Sequence, residues 1–483
     1  MDVIFTVKTG QLLGAGLAMG LGAIGAALGE GMTGGYANVS ISRRTEMSSP
    51  FTRNMLVAQA VAETSAIFAL MVAVLLLFSD MSGRGVCAGA AAIGAGIAMG
   101  LGAFGSGIGA GYSGGEAILG VSRQPESASQ MTTTMLVGQA VCQTPAIFSL
   151  VIAFMLMFKD YSGVNAWPYS GCLIGAGIAM GFGAIGSGWG GGQAGGSACR
   201  GYARQPKLRG PIVTLMLVGQ AVSQTPAIFA LLVSIMLMTI GPTEGNLLVT
   251  MAFLGAGCSI GLGAVGSGMG NGVTAEAACD ALSKESSLSK SIMTFMLVGQ
   301  AIGQTPVIFA MVVSLLLMFG NYDQAANLPY AMALVSAGLC IGLGAIGSGY
   351  GNGITSAEAC DALAVRPEKS PAVMTFMLVG QAVGQTPVIF ALMVSFMLML
   401  GNYDQAATLP AAMAILAAGI AMGFGAIGPG IGNGITAGGA CTAFAMHPEH
   451  SSLYMRTMLI AQAVAQSTAI YALVIAFVLM FVV

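Results

Sequence analysis

The sequence predicts an all-α integral membrane protein: six tandem transmembrane helical hairpins, twelve spans in all, set side by side in an arc. Three observations predict it. Hydrophobic residues make up 56% of the 483 and charged residues only 7%, a composition that no water-exposed surface carries. A two-helix pattern recurs, its Gln59 column reappearing at Gln139, Gln220, Gln300, Gln381 and Gln462, always 80 or 81 positions on. Each copy also holds two apolar stretches of about 25 residues, and ~20 suffice to cross the hydrocarbon.

Hairpin 1 occupies residues 1–80, with apolar stretches from roughly Gln11 to Val39 and from Phe51 to Phe78. Hairpins 2 to 6 follow at 81–162, 163–243, 244–323, 324–404 and 405–483. Met1 to Gly10 has no short apolar core with a cleavage site, so a removable signal peptide is not expected. The period exceeds most soluble solenoid units and fits a transmembrane hairpin plus its connector. Six equal hairpins also argue against the two large related halves of many secondary transporters.

The first helix of each hairpin is rich in glycine, as at Gly14, Gly16, Gly20, Gly22, Gly25, Gly29 and Gly31. Glycine costs ~1 kcal/mol in a helix interior, so a packing reason is expected, and small residues let membrane helices approach closely. The run Gly20-Leu21-Gly22-Ala23-Ile24-Gly25 matches a GxGxxG dinucleotide pattern, but a true fingerprint follows a strand in a soluble βαβ unit, so packing is the better reading. The second helix is bulkier, as in Met71-Val72-Ala73-Val74-Leu75-Leu76-Leu77-Phe78, and suits a face toward lipid. Narrow helices inside and broad ones outside would bend the row into an arc.

All of the sixteen basic residues except Lys8, Arg84 and Lys159 lie in or beside the loops within hairpins, whereas the connectors between hairpins carry Asp80, Asp160, Glu244, Asp323 and Asp404. By the enrichment of Lys and Arg on the cytoplasmic side, those six loops are expected in the cytoplasm and both termini outside. A net charge of -2 gives no reason to invoke nucleic acid. The nine cysteines show no CxxC spacing, and His447 and His450 share one loop without ligand partners, so no enzymatic or metal-cluster constellation is present. Glu116, Glu276, Asp280, Glu358 and Asp361 are expected to be solvated near the interface.

One residue stands out from this background. Hairpin 1 alone carries a carboxylate, Glu63, at the centre of its second helix, where the other copies have Gln143, Gln224, Gln304, Gln385 and Gln466. An acid in the middle of a membrane helix is costly and usually functional, and an amide of the same shape cannot release a proton. Gln59 lies four residues away on the same face. Counted from the outer helix ends at Ser79 and Gln11, Glu63 and Glu30 fall within about 5 Å of one depth.

The Gly-rich first helix, the polar loops Arg123-Gln124-Pro125 and Arg204-Gln205-Pro206, and the Gln-Ala sequence followed by an acid together resemble the c subunit of rotary F-type ATP synthases. The resemblance covers nearly the whole chain, six times over. Fusion of hairpins with loss of most carboxylates is similar to V-type rings. The loop triplet departs from the pattern at Arg366-Pro367 and His447-Pro448, and is missing around Lys284-Glu285.

The resemblance implies a non-catalytic member of a membrane rotor ring, in a bacterial inner membrane, with no cofactor beyond the Na+ or H+ it carries. Its carboxylate would exchange that ion at a stator subunit, and the Arg-Gln-Pro loops would meet the central-stalk subunits. Ring neighbours would be other copies of this chain, single-hairpin c subunits, or both, surrounded by lipid. Few carboxylates mean few ions per turn. Since each charge gathers only ~2.3 kcal/mol per 100 mV, a ring of this chain alone would favour ATP-driven pumping, while a mixed ring would restore synthesis.

The resemblance also frames the ion site, for which Glu63, Thr64, the Val61 carbonyl and Glu30 supply hard oxygens, with Gln59 and Ser65 beside them. The acid-hydroxyl run Glu63-Thr64-Ser65 is similar to the sodium-binding branch, which places Na+ ahead of H+. That branch usually has a Tyr where copy 1 has Phe68, and the copy that has Tyr471 has lost its acid. Whether Glu63 faces Glu30, Ala110 or Asn433 is open at this point. The silent glutamines are expected to act as neutral plugs, pairing with amides such as Asn352, and Pro145, Pro226, Pro306 and Pro387 to bend the helices. The competing class is a structural or accessory ring member with little or no ion turnover.

Overall fold

A computed structural model describes residues 7–162, 167–240, 246–322, 327–401, 403 and 408–481. The connector acids Glu244, Asp323 and Asp404 lie outside the described residues. Among the described residues there are only helices and turns, and 12 of the helices are long and apolar enough to cross a membrane. They form the six hairpins in chain order.

The first helices are Val7–Arg43, Ala88–Arg123, Trp167–Arg204, Leu247–Lys284, Leu328–Val365 and Leu409–Met446. At 36 to 38 residues they run roughly 55 Å and so extend well past a hydrocarbon core of ~30 Å. Several begin on a side chain that accepts the helix's first free N–H groups: Asn246 Oδ1 accepts from Leu248 N (2.9 Å) and Val249 N (3.3 Å), and Asn327 Oδ1 from Tyr330 N (2.8 Å). Each hairpin then turns through one short 3-10 segment, such as Pro125–Ser127 or Pro206–Leu208.

The second helix is continuous in hairpins 1, 3 and 6, as Ser48–Phe78, Arg209–Ile240 and Ser451–Phe481. In hairpins 2, 4 and 5 it is interrupted at Gln143, Gln304 and Gln385. Those interruptions stand two residues before Pro145, Pro306 and Pro387, whose rings remove a backbone donor. Hairpin 3 passes through Pro226 without a break, so proline permits the interruption but does not impose it.

Successive first helices lie side by side, backbone against backbone. A Cβ on Gly109 would overlap the carbonyl oxygen of Gly188, one on Gly29 that of Gly107, and one on Gly25 that of Phe104. This explains the GxGxxG runs: Gly22 and Gly25 are small because Ala69 and the next hairpin's backbone occupy the space of a side chain. The second helices form the other layer, those of hairpins 1 to 5 seated against the first helices of their own and the next hairpin. Ile67, Leu70, Met71 and Val74 are exposed on its outer surface, as the bulky lipid-facing reading expects.

Among the described residues the row has no further hairpin packed on either end. Gly16, Gly20 and Gly31 of hairpin 1 meet nothing within 4 Å, although their counterparts Gly96, Gly100 and Gly111 press on hairpin 1. At the far end Gly428 likewise meets nothing within 4 Å, and Val464 and Tyr471 are 67% and 65% exposed.

Close approach of the first helices predicts a sharp contrast between glycines. Gly109→Ala should destabilise the detergent-solubilised protein by roughly 1–3 kcal/mol, because backbone atoms would have to move apart. Gly210→Ala, where a Cβ meets nothing within 4 Å, should be neutral or slightly stabilising. Thermal denaturation followed by circular dichroism distinguishes the two.

Candidate functional site

Glu63 is at the midpoint of the 31-residue helix Ser48–Phe78, on the exposed edge of hairpin 1. The depth argument that pairs it with Glu30 rests on Gln11 lying opposite Ser79. Gln11 Nε2 indeed donates to the carbonyls of Leu76 (2.8 Å) and Ser79 (2.7 Å). Glu30 is half-buried and close enough for its charge to interact with that of Glu63. Two such carboxylates repel unless one is protonated or a cation lies near.

Gln59 faces its own first helix, and its Nε2 donates to the Glu30 carbonyl at 3.0 Å. The Thr64 and Ser65 hydroxyls each donate to their own helix, at Ala60 and Ala62 (both 3.1 Å), leaving lone pairs as acceptors. Ser65 is fully buried. Val61 is a correction. Its carbonyl accepts from Gln143 Nε2 of hairpin 2 at 3.0 Å, so it belongs to the next junction and not to the surroundings of Glu63. A set of ligands contained within hairpin 1 therefore loses that member.

The same contact recurs at every internal junction. Gln224 Nε2 donates to the Val141 carbonyl (2.6 Å), Gln304 to Val222 (3.2 Å), Gln385 to Ile302 (3.4 Å) and Gln466 to Val383 (3.0 Å). Each silent glutamine thus reaches back to the preceding second helix. The expected pairing of Asn352 with Gln385 is not what holds this amide; buried Asn352 Nδ2 has no hydrogen-bond partner among the described residues. The plug is a side chain bonded to backbone, not to another amide.

One turn away lies a second ladder. Gln139 Nε2 donates to Ala110 O of its own hairpin (2.8 Å) and to Ala58 O of the preceding one (3.1 Å). Gln220, Gln300, Gln381 and Gln462 repeat this with one carbonyl from each side. Both neighbours are acceptors only, so the amide must present its two N–H groups. Among the described residues Gln59 makes the intrahairpin bond alone.

The loop ends differ from expectation in one respect. Arg123 and the Arg204-Gln205-Pro206 run are exposed, and Gln124 and Pro125 partly so. Glu116, Glu276 and Asp280, however, are not solvated. Arg200 bonds Glu116 Oε1 (3.1 Å), Glu276 Oε1 (2.7 Å) and Asp280 Oδ2 (2.9 Å), joining the first helices of hairpins 2, 3 and 4, with Glu116 buried. Lys284 pairs with Asp361 (2.7 Å), and Glu358 accepts from Thr442 Oγ1 (2.6 Å). Inward-facing acids on neighbouring helices need such partners, because burying an unpaired carboxylate is costly.

The residue signal for this network was present: Arg200 lies 80 positions before Asp280 and 76 before Glu276, so equal periods put it beside both. What was missing was the knowledge that first helices touch their equivalents directly. The nine cysteines are all free and buried, and no group of His, Cys, Asp and Glu that could hold a metal occurs among the described residues.

The chain matches the family of ATP synthase c subunits over residues 13–76, 93–156, 174–237, 254–317, 335–398 and 416–479. It is 51% identical over 69 residues to the ATP synthase c subunit of Petrotoga mobilis, covering 72% of that protein and 14% of this chain. The ATP synthase c subunit of Thermotoga maritima is 48% identical over 68 residues, 80% of that protein and 14% of this chain. The K subunit of an A-type ATP synthase from Methanocaldococcus jannaschii is 31% identical over 227 residues, 94% of that protein and 47% of this chain.

The ion-pair network carries a stability prediction. Arg200→Ala leaves three acids without their common partner and should destabilise the protein by about 3–5 kcal/mol. Arg204→Ala removes a more exposed pair with Asp280 and should cost about 1 kcal/mol or less. Unfolding of the purified protein by denaturant compares them.

Proposed function

The chain belongs to the family of ATP synthase c subunits, and from that premise we propose that its rotor ring carries one exchanging ion per chain, at Glu63. The observation that carries the proposal is the contrast along one column. Five glutamines are fixed by a bond to a backbone carbonyl, whereas the single ionisable member sits on a free edge at mid-helix.

The chemistry follows from the groups around it. A bare carboxylate at mid-membrane depth is costly unless a proton or a cation neutralises it. With that ion in place Glu63 is neutral and can face lipid; without it the charge needs an aqueous path, as at a stator subunit. A glutamine is neutral throughout and passes the same position without exchanging anything. The adjacent Thr64 and Ser65 hydroxyls and the nearby Glu30 favour Na+ over H+, since a partly dehydrated cation requires several oxygens.

In this reading the loops bearing Arg123, Gln124, Pro125, Arg204, Gln205 and Pro206 lie on the cytoplasmic side of a bacterial inner membrane and meet the central stalk. Stator and stalk subunits are its partners, and the chain itself catalyses no reaction. One charge per chain favours ATP-driven pumping against a steep gradient over synthesis, because the work gathered per turn scales with the charges moved. Single-hairpin subunits mixed into the ring would raise that number.

Glu63→Gln tests the proposal. The variant should insert and assemble, an amide already being present at the five equivalent positions, while ATP-coupled ion uptake by vesicles falls to background in a ring of this chain alone. In a mixed ring the loss should scale with the fraction of carboxylates removed. Full coupled uptake by a homomeric Glu63→Gln ring would instead favour a structural ring without ion turnover at this position.

A further inference from the structure

At the connector end of the helices, opposite the hairpin loops, a lysine joins hairpins 2 and 3. Lys159 stands just past the second helix of hairpin 2, and its Nζ donates to the Tyr169 hydroxyl (2.7 Å) and to the Met238 carbonyl, both of hairpin 3. The ammonium also lies 5.3 Å from the centre of the Tyr169 ring, close enough for the ring face to attract it. Tyr169 in turn donates to the Met238 carbonyl. That carbonyl belongs to the last turn of Arg209–Ile240, where a helix has acceptors to spare and favours a positive charge. Tyr169, beneath the ammonium, is only 3% exposed.

Two hairpins further on, the same place lacks its lysine. Moving forward by 161 positions turns Lys159, Tyr169 and Met238 into Gly320, Tyr330 and Met399. The surrounding frame is kept: Tyr322 Oη donates to the Leu317 carbonyl (2.8 Å) as Tyr161 Oη does to that of Leu156 (2.8 Å). Around these three residues hairpins 4 and 5 form a cleft of about 470 Å3, lined also by Leu316, Leu334 and Phe396. Its size falls within the ~300–1,000 Å3 of small-ligand sites. Tyr330 is partly exposed, and its hydroxyl makes no hydrogen bond among the described residues. The other junctions do not repeat this combination. Between hairpins 1 and 2, Arg84 bonds the Met157 carbonyl and lies 5.5 Å from the centre of the Phe158 ring. The Lys159 and Tyr169 columns hold Ile240 and Val249 between hairpins 3 and 4, and Gly401 and Ala411 between hairpins 5 and 6.

We propose that this cleft binds the primary ammonium head group of a membrane lipid, an ethanolamine-type phospholipid, in the place that Lys159 takes at its own junction. The ammonium donates to the Tyr330 hydroxyl and to the Met399 carbonyl, which lies in the last turn of Thr386–Leu400 and has no helix N–H to accept from. One acyl chain then runs inward past Leu316, Leu334 and Phe396; Leu316 and Leu400 beside it are exposed. Depth agrees with a head group. Gly320 stands 16 residues beyond Gln304, roughly 24 Å along the helix, at the level where tyrosines concentrate in membrane proteins. An ammonium brings three N–H donors, whereas a quaternary choline brings none and leaves both acceptors unmet. The site is remote from the Glu63 column and does not depend on its reading.

Photocrosslinking of the assembled full chain in phosphatidylcholine nanodiscs tests the proposal. Two trace probes with identical acyl chains carry a diazirine on the same acyl carbon, one with an ethanolamine and one with a choline head group. In the unmodified protein the ethanolamine probe should label residues 316–320 and 396–400 roughly tenfold more than the choline probe, the ratio that one hydrogen bond to a charged group supplies. Gly320→Lys, whose Cβ would meet chiefly the movable tip of Tyr322, places a tethered ammonium in the cleft and should abolish the preference. Tyr330→Phe should reduce it without filling space. Lys159→Gly should open a second selective site beside Tyr169 and Met238, the labelling at hairpins 4 and 5 showing that this variant is folded. Equal labelling by the two probes in the unmodified protein, a preference that survives Gly320→Lys, or no new site in folded Lys159→Gly would each overturn the proposal.

Discussion

Backbone-to-backbone packing of the glycine-rich first helices sets the distance between hairpins, and the rest of the molecule depends on that distance. Because a carbonyl such as Gly188 O occupies the place where a Cβ on Gly109 would be, neighbouring second helices are held where a glutamine side chain can span from one to the next. Gln139 then finds one carbonyl on each side, and Gln143 finds the Val61 carbonyl. Such bonds contribute only ~0.6 kcal/mol each in membranes. Their importance is in register: they fix the depth at which the Glu63 column passes from one hairpin to the next.

A fused chain turns that repeated junction into an asymmetric object. The internal junctions are closed by side chains that are always neutral, while the single acid of the Glu63 column stands on an exposed edge of hairpin 1. Removing carboxylates lowers the number of charges moved per turn, and each lost charge removes ~2.3 kcal/mol per 100 mV from the work available. The Arg200 network adds a second asymmetry, since Arg200 is the one basic residue of its column, where the other copies have Val39, Leu119, Asp280, Asp361 and Thr442. It anchors the middle of the row at the loop end, away from the depth of Glu63.

Hairpin number, helix type and the position of Glu63 were legible because each depends on composition and period within one copy. Gln11 opposite Ser79 was legible for the same reason. Relations between copies were not. Val61 reads as a ligand beside Glu63 because they are two residues apart, yet a backbone carbonyl two residues back points to the other edge of the helix and serves Gln143. Glu116 and Asp280 read as solvated because nothing in the sequence places Arg200 between them until the first helices are known to be in direct contact.

Native mass spectrometry of the purified ring, modified to saturation with a carbodiimide, tests most directly whether one carboxylate per chain turns this rotor. The predicted result is one adduct on each copy of this chain, every one on Glu63. More than one adduct on any copy of this chain, or adducts on Glu30 in place of Glu63, would contradict it.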